Sequence, residues 1–163
     1  MNKIIAVIIF VVVVLVGLML WGSSVQKSVS ADTDLKSALT ASEVLYDFGT
    51  ISMKDGNVTK EFTVANPTDK DIFIPSLVTS CMCTKASIIE PDGTIKGPFG
   101  MPGMGYVPPA DETIKAGESR TIKVVYDPNA HGPAGVGRID RFITLTDASG
   151  GKLQLEIKAL VTP

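Results

Sequence analysis

The sequence is short of the groups on which most enzymes and nucleic-acid binders depend. It has one histidine, His131, one tryptophan, Trp21, and two cysteines, Cys81 and Cys83. No run of lysine or arginine occurs and the formal net charge is −2. A polyanion such as nucleic acid is therefore excluded as a main partner. Asp47, Asp127 and Asp140 are scattered through turns and strands, so no carboxylate pair argues for acid–base catalysis. No Gly-x-Ser-x-Gly elbow supports a hydrolase. No glycine-rich stretch is followed by the Lys-Ser/Thr pair of a phosphate loop. Asn57, Val58 and Thr59 fit the glycosylation acceptor pattern, but so short a match reads as a turn into a strand. There is no internal repeat and no second long apolar run, which excludes a polytopic membrane protein. What remains points away from an enzyme.

The first apolar run is the exception. Residues 4–21 are apolar except for Gly17, a span of 18 residues. A helix of that length covers about 27 Å, close to the hydrocarbon thickness of a bilayer. Trp21 suits the interface, and Lys3 precedes the run. A cleavable signal has a shorter apolar core of about 7–15 residues. Residues 1–21 are therefore expected to form an uncleaved signal-anchor. Cleavage after Ala31 is the alternative, ten residues beyond Trp21. Lys3 and the terminal amine favour the N-terminus inside, which places the rest outside the cytoplasm, periplasmic or extracellular. Residues 22–42 lack a dense apolar pattern and read as a flexible tether. Residues 43–163 read as the folded domain, and its expected partners are the membrane, through the anchor, and another envelope protein.

That domain reads as strands. Over residues 152–161, Leu153, Leu155, Ile157, Ala159 and Val161 alternate with Lys152, Gln154, Glu156 and Lys158. A period of two marks a half-buried strand. Ile122, Val124 and Tyr126 line one face of residues 120–127, and residues 138–147 are rich in Ile, Phe, Thr and Leu. Residues 44–48, 58–65, 71–80 and 84–90 are further strands, separated by turn signals such as Asp55-Gly56-Asn57 and Pro91-Asp92-Gly93. About seven short strands and no helix predict an all-β, antiparallel two-layer sandwich; a small barrel is the alternative. Residues 91–109 depart from the rhythm, with ten Gly or Pro among 19 positions. Such a stretch makes neither a helix nor a central strand, and long irregular loops are commonly functional. A second glycine-rich stretch, residues 131–137, begins at His131.

Several motifs follow one another in a distinctive order. Tyr46-Asp47-Phe48-Gly49-Thr50-Ile51 is followed by Phe62-Thr63-Val64-Ala65-Asn66 and then Ser80-Cys81-Met82-Cys83-Thr84. Ala116-Gly117-Glu118, Tyr126-Asp127-Pro128 and a closing strand ending in Val161 complete the series. The chain thereby resembles, over residues 44–161, a bacterial domain-of-unknown-function family with a Ser-Cys-x-Cys-Thr signature. That family is similar to immunoglobulin-like domains of the major-sperm-protein and Hydin type. The resemblance implies an envelope-located immunoglobulin-like sandwich and no settled activity. The chain departs from the common pattern at Met82, where the family often has Gly, and in the length of its Gly/Met loop.

The sulfur chemistry centres on Cys81 and Cys83. In an extended chain their side chains share a face and their Cα atoms lie about 6.6 Å apart. That is near the upper limit for a disulfide, roughly 6.8 Å, so a bridge requires local bending. Two thiolates can instead hold a soft metal ion, and thiolate with thioether suits Cu(I). Met101 and Met104 could add thioether, with Met82 the less apt because a regular strand would turn it to the opposite face. His131 could add imidazole, because loops gather at the ends of a sandwich. The candidate metal ligands are thus Cys81, Cys83, Met101, Met104 and His131. Zinc is the poorer fit, because one His and two Cys leave the fourth ligand unnamed. Three plainer readings stand beside this one. The cysteines could form a structural disulfide in an interaction module, a redox-active disulfide, or inert buried thiols. Against the redox reading, no thioredoxin-like βαβ pattern surrounds the pair.

Overall fold

The computed structural model describes residues 35–163, so the expected anchor and the first part of the tether lie outside the described residues. Among the described residues no helix is long and apolar enough to cross a membrane. The described residues form eleven strands: β1 (Thr40–Ala41), β2 (Leu45–Ser52), β3 (Val58–Ala65), β4 (Ile72–Ile74), β5 (Ser76–Thr79) and β6 (Thr84–Ile89), then β7 (Ile95–Phe99), β8 (Glu112–Ile114), β9 (Ser119–Tyr126), β10 (Gly137–Thr146) and β11 (Lys152–Thr162). One sheet has the order β1-β3-β9-β6-β7, the other β2-β11-β10-β5, and β4 pairs with β8 alone. The architecture is an all-β sandwich.

The alternating pattern decides which side chains meet between the sheets. Leu153, Leu155, Ile157, Ala159 and Val161 of β11 are buried, as are Ile122, Val124 and Tyr126 of β9. These are the two apolar faces that the period of two predicts. Phe62 and Val64 of β3, Ala86 and Ile88 of β6, Leu77 of β5 and Ile143 and Leu145 of β10 belong to the same core. Burial of a large aliphatic side chain stabilises by about 1.5–3 kcal/mol, so this shared interior holds the two layers together.

The structure corrects the sequence reading in three respects. First, the sandwich is not wholly antiparallel, because β2 pairs with β11 in parallel. Hairpin-linked neighbours must run antiparallel, but nearly the whole domain separates these two strands, so chain connectivity leaves their relative direction free. Second, the expected strand over residues 71–80 is divided at Pro75 between β4 and β5, which lie in different sheets. A proline has no N–H to continue the ladder, and the Pro75 carbonyl accepts from the Ala110 N–H instead, at 2.9 Å. Third, residues 35–42 belong with the sandwich rather than the tether. Ser37 and Leu39 are buried, and Thr40–Ala41 pairs with β3. The strand found inside the Gly/Pro-rich stretch, β7, is an edge strand, the position that tolerates Pro98.

Candidate functional site

The two cysteines lie where the chain leaves one sheet for the other. β5 is an edge of the second sheet and β6 is an inner strand of the first, so residues 80–83 form the corner. The chain is bent there, not extended. The Thr84 N–H donates to the Cys81 carbonyl at 3.1 Å, which closes a tight turn. That bend shortens the separation of the cysteine Cα atoms to 5.3 Å, and the two sulfurs are joined as a disulfide. Such a spacing is ordinary for a bridge. Met82 is 40% exposed at the apex of the turn and does not pack in the core.

Neighbouring strands clamp the corner. The Ser80 N–H donates to the Phe142 carbonyl and the Phe142 N–H returns a bond to Ser80 Oγ, each at 2.9 Å. The Asp127 N–H donates to the Cys83 carbonyl at 2.9 Å. The Thr79 hydroxyl lies 3.1 Å from the Cys81 carbonyl and 3.0 Å from that of Thr84. The turn is therefore fixed to the middle of β10 and the end of β9.

The crossing from β9 to β10 runs beside it. It opens with an Asx turn, the Asn129 N–H donating to Asp127 Oδ1 at 2.8 Å, and coils tightly enough to bring His131 back over the corner. Gly135 permits that coil, because a Cβ there would sit 3.2 Å from the Pro128 carbonyl and 3.4 Å from His131 Cβ. His131 Nε2 lies 3.1 Å from Cys81 Sγ. One ligand atom from each of Cys81, Cys83 and His131 falls within 4.8 Å of the others.

The two sulfurs have different surroundings. Cys83 is 2% exposed, whereas Cys81 is only partly buried and faces the exposed His131. Cys83 Sγ accepts a hydrogen bond from Arg141 Nε at 3.2 Å and has the Thr84 hydroxyl 3.7 Å away. The sequence gives no sign of Arg141, because an arginine at a polar position of a strand does not reveal that it faces a sulfur 58 residues earlier in the chain. Its positive charge also acts through space on Tyr126. Burial pushes the Tyr126 phenol above its ordinary value, Arg141 works in the opposite direction, and burial prevails.

Met101 and Met104 stand differently. The Thr79 N–H donates to the Gly100 carbonyl at 3.1 Å, so the Gly/Pro loop departs beside β5 close to the corner. The loop then turns, the Met104 N–H donating to the Met101 carbonyl at 3.3 Å. Met104 is 54% exposed. Among the described residues no hydrogen bond joins either thioether to the sulfur pair. The fold thus brings together Cys81, Cys83 and His131, and leaves the two methionines on the neighbouring loop.

A family model described as a protein of unknown function (DUF1573) matches residues 39–96, a stretch that includes both cysteines and excludes His131 and Arg141. No curated protein matches the chain. Among solved structures, a protein of unknown function from Porphyromonas gingivalis has a TM-score of 0.55 at 12% identity, covering 82% of this chain and 51% of that one. A family 123 glycoside hydrolase from Clostridium perfringens has a TM-score of 0.52 at 10% identity, covering 72% of this chain and 22% of that one. The PapD-like domain 7 of human CEP192 gives 0.46 at 9% identity, covering 78% of this chain and 87% of that domain. For the Porphyromonas and Clostridium proteins, at such identities, the likeness is one of fold alone. The chain spans about half the length of the Porphyromonas protein.

Proposed function

We propose that this chain is a membrane-anchored, extracytoplasmic, immunoglobulin-like binding domain that takes up a soft metal ion, Cu(I), at its sulfur corner and passes it to another envelope protein. The observation that carries the reading is the meeting of Cys81, Cys83 and His131 from two separate sheet crossings. Two thiolates are soft donors of the kind Cu(I) prefers, and imidazole is a harder donor that also suits copper. The pair is joined in this structure, so the metal-binding form is the dithiol, reached when a partner dithiol gives the pair two electrons and two protons and is itself oxidised to a disulfide. Binding then releases the thiol protons. A Cu(I) held by two thiolates carries one net negative charge, and Arg141 stands beside Cys83 to balance it. Met101 and Met104, on a loop rooted beside the same corner, supply thioether for uptake and release. The location outside the cytoplasm is supported by the apolar run over residues 4–21.

The test is a titration of the reduced full-length chain, in mild detergent, with Cu(I) in competition with a chromophoric chelator. One equivalent is expected to bind, and Cys81→Ser with Cys83→Ser is expected to abolish binding. His131→Ala should weaken it by about tenfold or more, the scale of losing one ligand of three. Undiminished binding by the double serine variant removes the metal reading.

A second reading has its own observation. The corner is tied to β9 and β10 by backbone bonds that do not involve the sulfurs. A structural disulfide on a protein-interaction module fits that bracing equally, and it predicts that the double serine variant keeps its fold and its envelope partner.

A further inference from the structure

The unequal surroundings of the two sulfurs carry an activity that needs no metal. We propose that Cys81–Cys83 is a thiol–disulfide exchange centre. In it Cys81 is the sulfur that meets a partner dithiol, and Cys83 is the internal leaving sulfur held by Arg141. The proposal shares the cysteine pair with the copper reading but stands independently of it.

Exchange begins when a thiolate attacks one sulfur of a disulfide in line with the bond that breaks, so access selects the sulfur attacked. Cys83 is sealed at 2% exposure while Cys81 is partly open beside the exposed His131. Attack at Cys81 Sγ forms a bond between that sulfur and the partner and breaks the bond to Cys83 Sγ. The electron pair of the broken bond leaves on Cys83 as a thiolate. That charge develops 3.2 Å from Arg141 Nε, a donor already in place. A fixed donor aimed at a site of developing charge lowers the barrier without reorganisation. The partner's second thiolate then attacks its own sulfur in the mixed disulfide and releases Cys81 as thiolate 3.1 Å from His131 Nε2. The partner dithiol has lost two electrons and two protons, and the Cys81–Cys83 pair has gained both. The substrate class is a dithiol, small or on a protein, and the reaction runs in reverse when the reduced pair meets a more oxidising disulfide.

The experiment uses the oxidised full-length chain with a copper chelator present throughout. It is exposed to glutathione, quenched in acid, and the mixed disulfide is located by peptide mass spectrometry. The adduct is expected on Cys81. An adduct on Cys83, or equal amounts on both, overturns the assignment. In the same assay Arg141→Met is expected to slow loss of the disulfide by about tenfold, with Arg141→Lys recovering part of the rate and both variants melting as cooperatively as wild type. An unchanged Arg141→Met rate removes the role given to Arg141. Because copper is absent, failure of exchange leaves the copper titration standing, and failure of that titration leaves this result standing.

Discussion

Single residues fasten the parts of the chain that the sheets do not. Asp147 is buried in the turn between β10 and β11 and gathers four donors. Oδ2 accepts from the Ser37 hydroxyl at 2.6 Å, and Oδ1 accepts from the Ser149 hydroxyl and from the N–H groups of Ser149 and Gly151. Burial alone pushes this carboxyl up, but the four hydrogen bonds outweigh burial and hold it below its ordinary 3.8. A carboxyl whose value is lower in the folded chain stabilises fully above 3.8 and loses that contribution as pH falls through the folded value. Asp147→Asn is therefore expected to flatten the acid limb of stability below that pH, read by urea unfolding at stepped pH. An acid limb identical to wild type would contradict the assignment. Gly151 is needed beside it, because a Cβ there would lie 2.6 Å from Asp147 Oδ2 and 2.9 Å from Ser37 Cα. Both cysteines and His131 are legible in the sequence as metal-ligating groups. Arg141 is not, because its role depends on the neighbour across the corner rather than on its own spacing.

Between elements, the return of the Gly/Pro loop is held by charge. Glu112 of β8 is almost wholly buried and takes Arg120 Nε at 2.6 Å on one oxygen and Lys96 Nζ at 2.5 Å on the other. The Arg120 side chain is 7% exposed and also reaches Glu118 and the Thr113 carbonyl, whereas the Lys96 side chain is 36% exposed. Removing the sole partner of a buried charge costs about 3–5 kcal/mol; Lys96 still faces Glu112 when Arg120 is lost, so that figure is an upper bound here. Arg120→Met is expected to lose stability towards that bound, because it takes a donor from both Glu112 and Glu118. Lys96→Met should lose markedly less, as water can reach the vacated side of the carboxylate. Urea denaturation of both variants checks this, and equal losses would show that the network is not ordered by burial. Of the elements, β9 and β11 were plain from alternation over eight or more residues. β1 and β8 are two and three residues long, too short to show any period. β7 lies within a Gly/Pro-rich stretch, and its pairing with β6 rather than its composition makes it a strand.

At the scale of the whole molecule, the expected anchor and the sandwich make one testable unit. The full-length chain is expected to fractionate with membranes, to resist extraction by high salt, and to release its domain when a protease is added from outside. Recovery in the soluble fraction, or protection from an external protease, would overturn the anchor or its orientation. The sequence by itself determined that the domain is built of strands, which faces of the long strands turn inward, and that its reactive groups are two cysteines and one histidine. Those properties follow from side-chain period and composition, which are local. The tertiary structure alone decided that β2 lies parallel to β11, that the chain bends at residues 80–83, and that His131 and Arg141 reach opposite sulfurs of one corner. The physical reason is that a period of two fixes the face on which a side chain stands, but not the strand that will lie beside it. Contacts across a crossing between sheets depend on where distant segments end, and no local pattern encodes that.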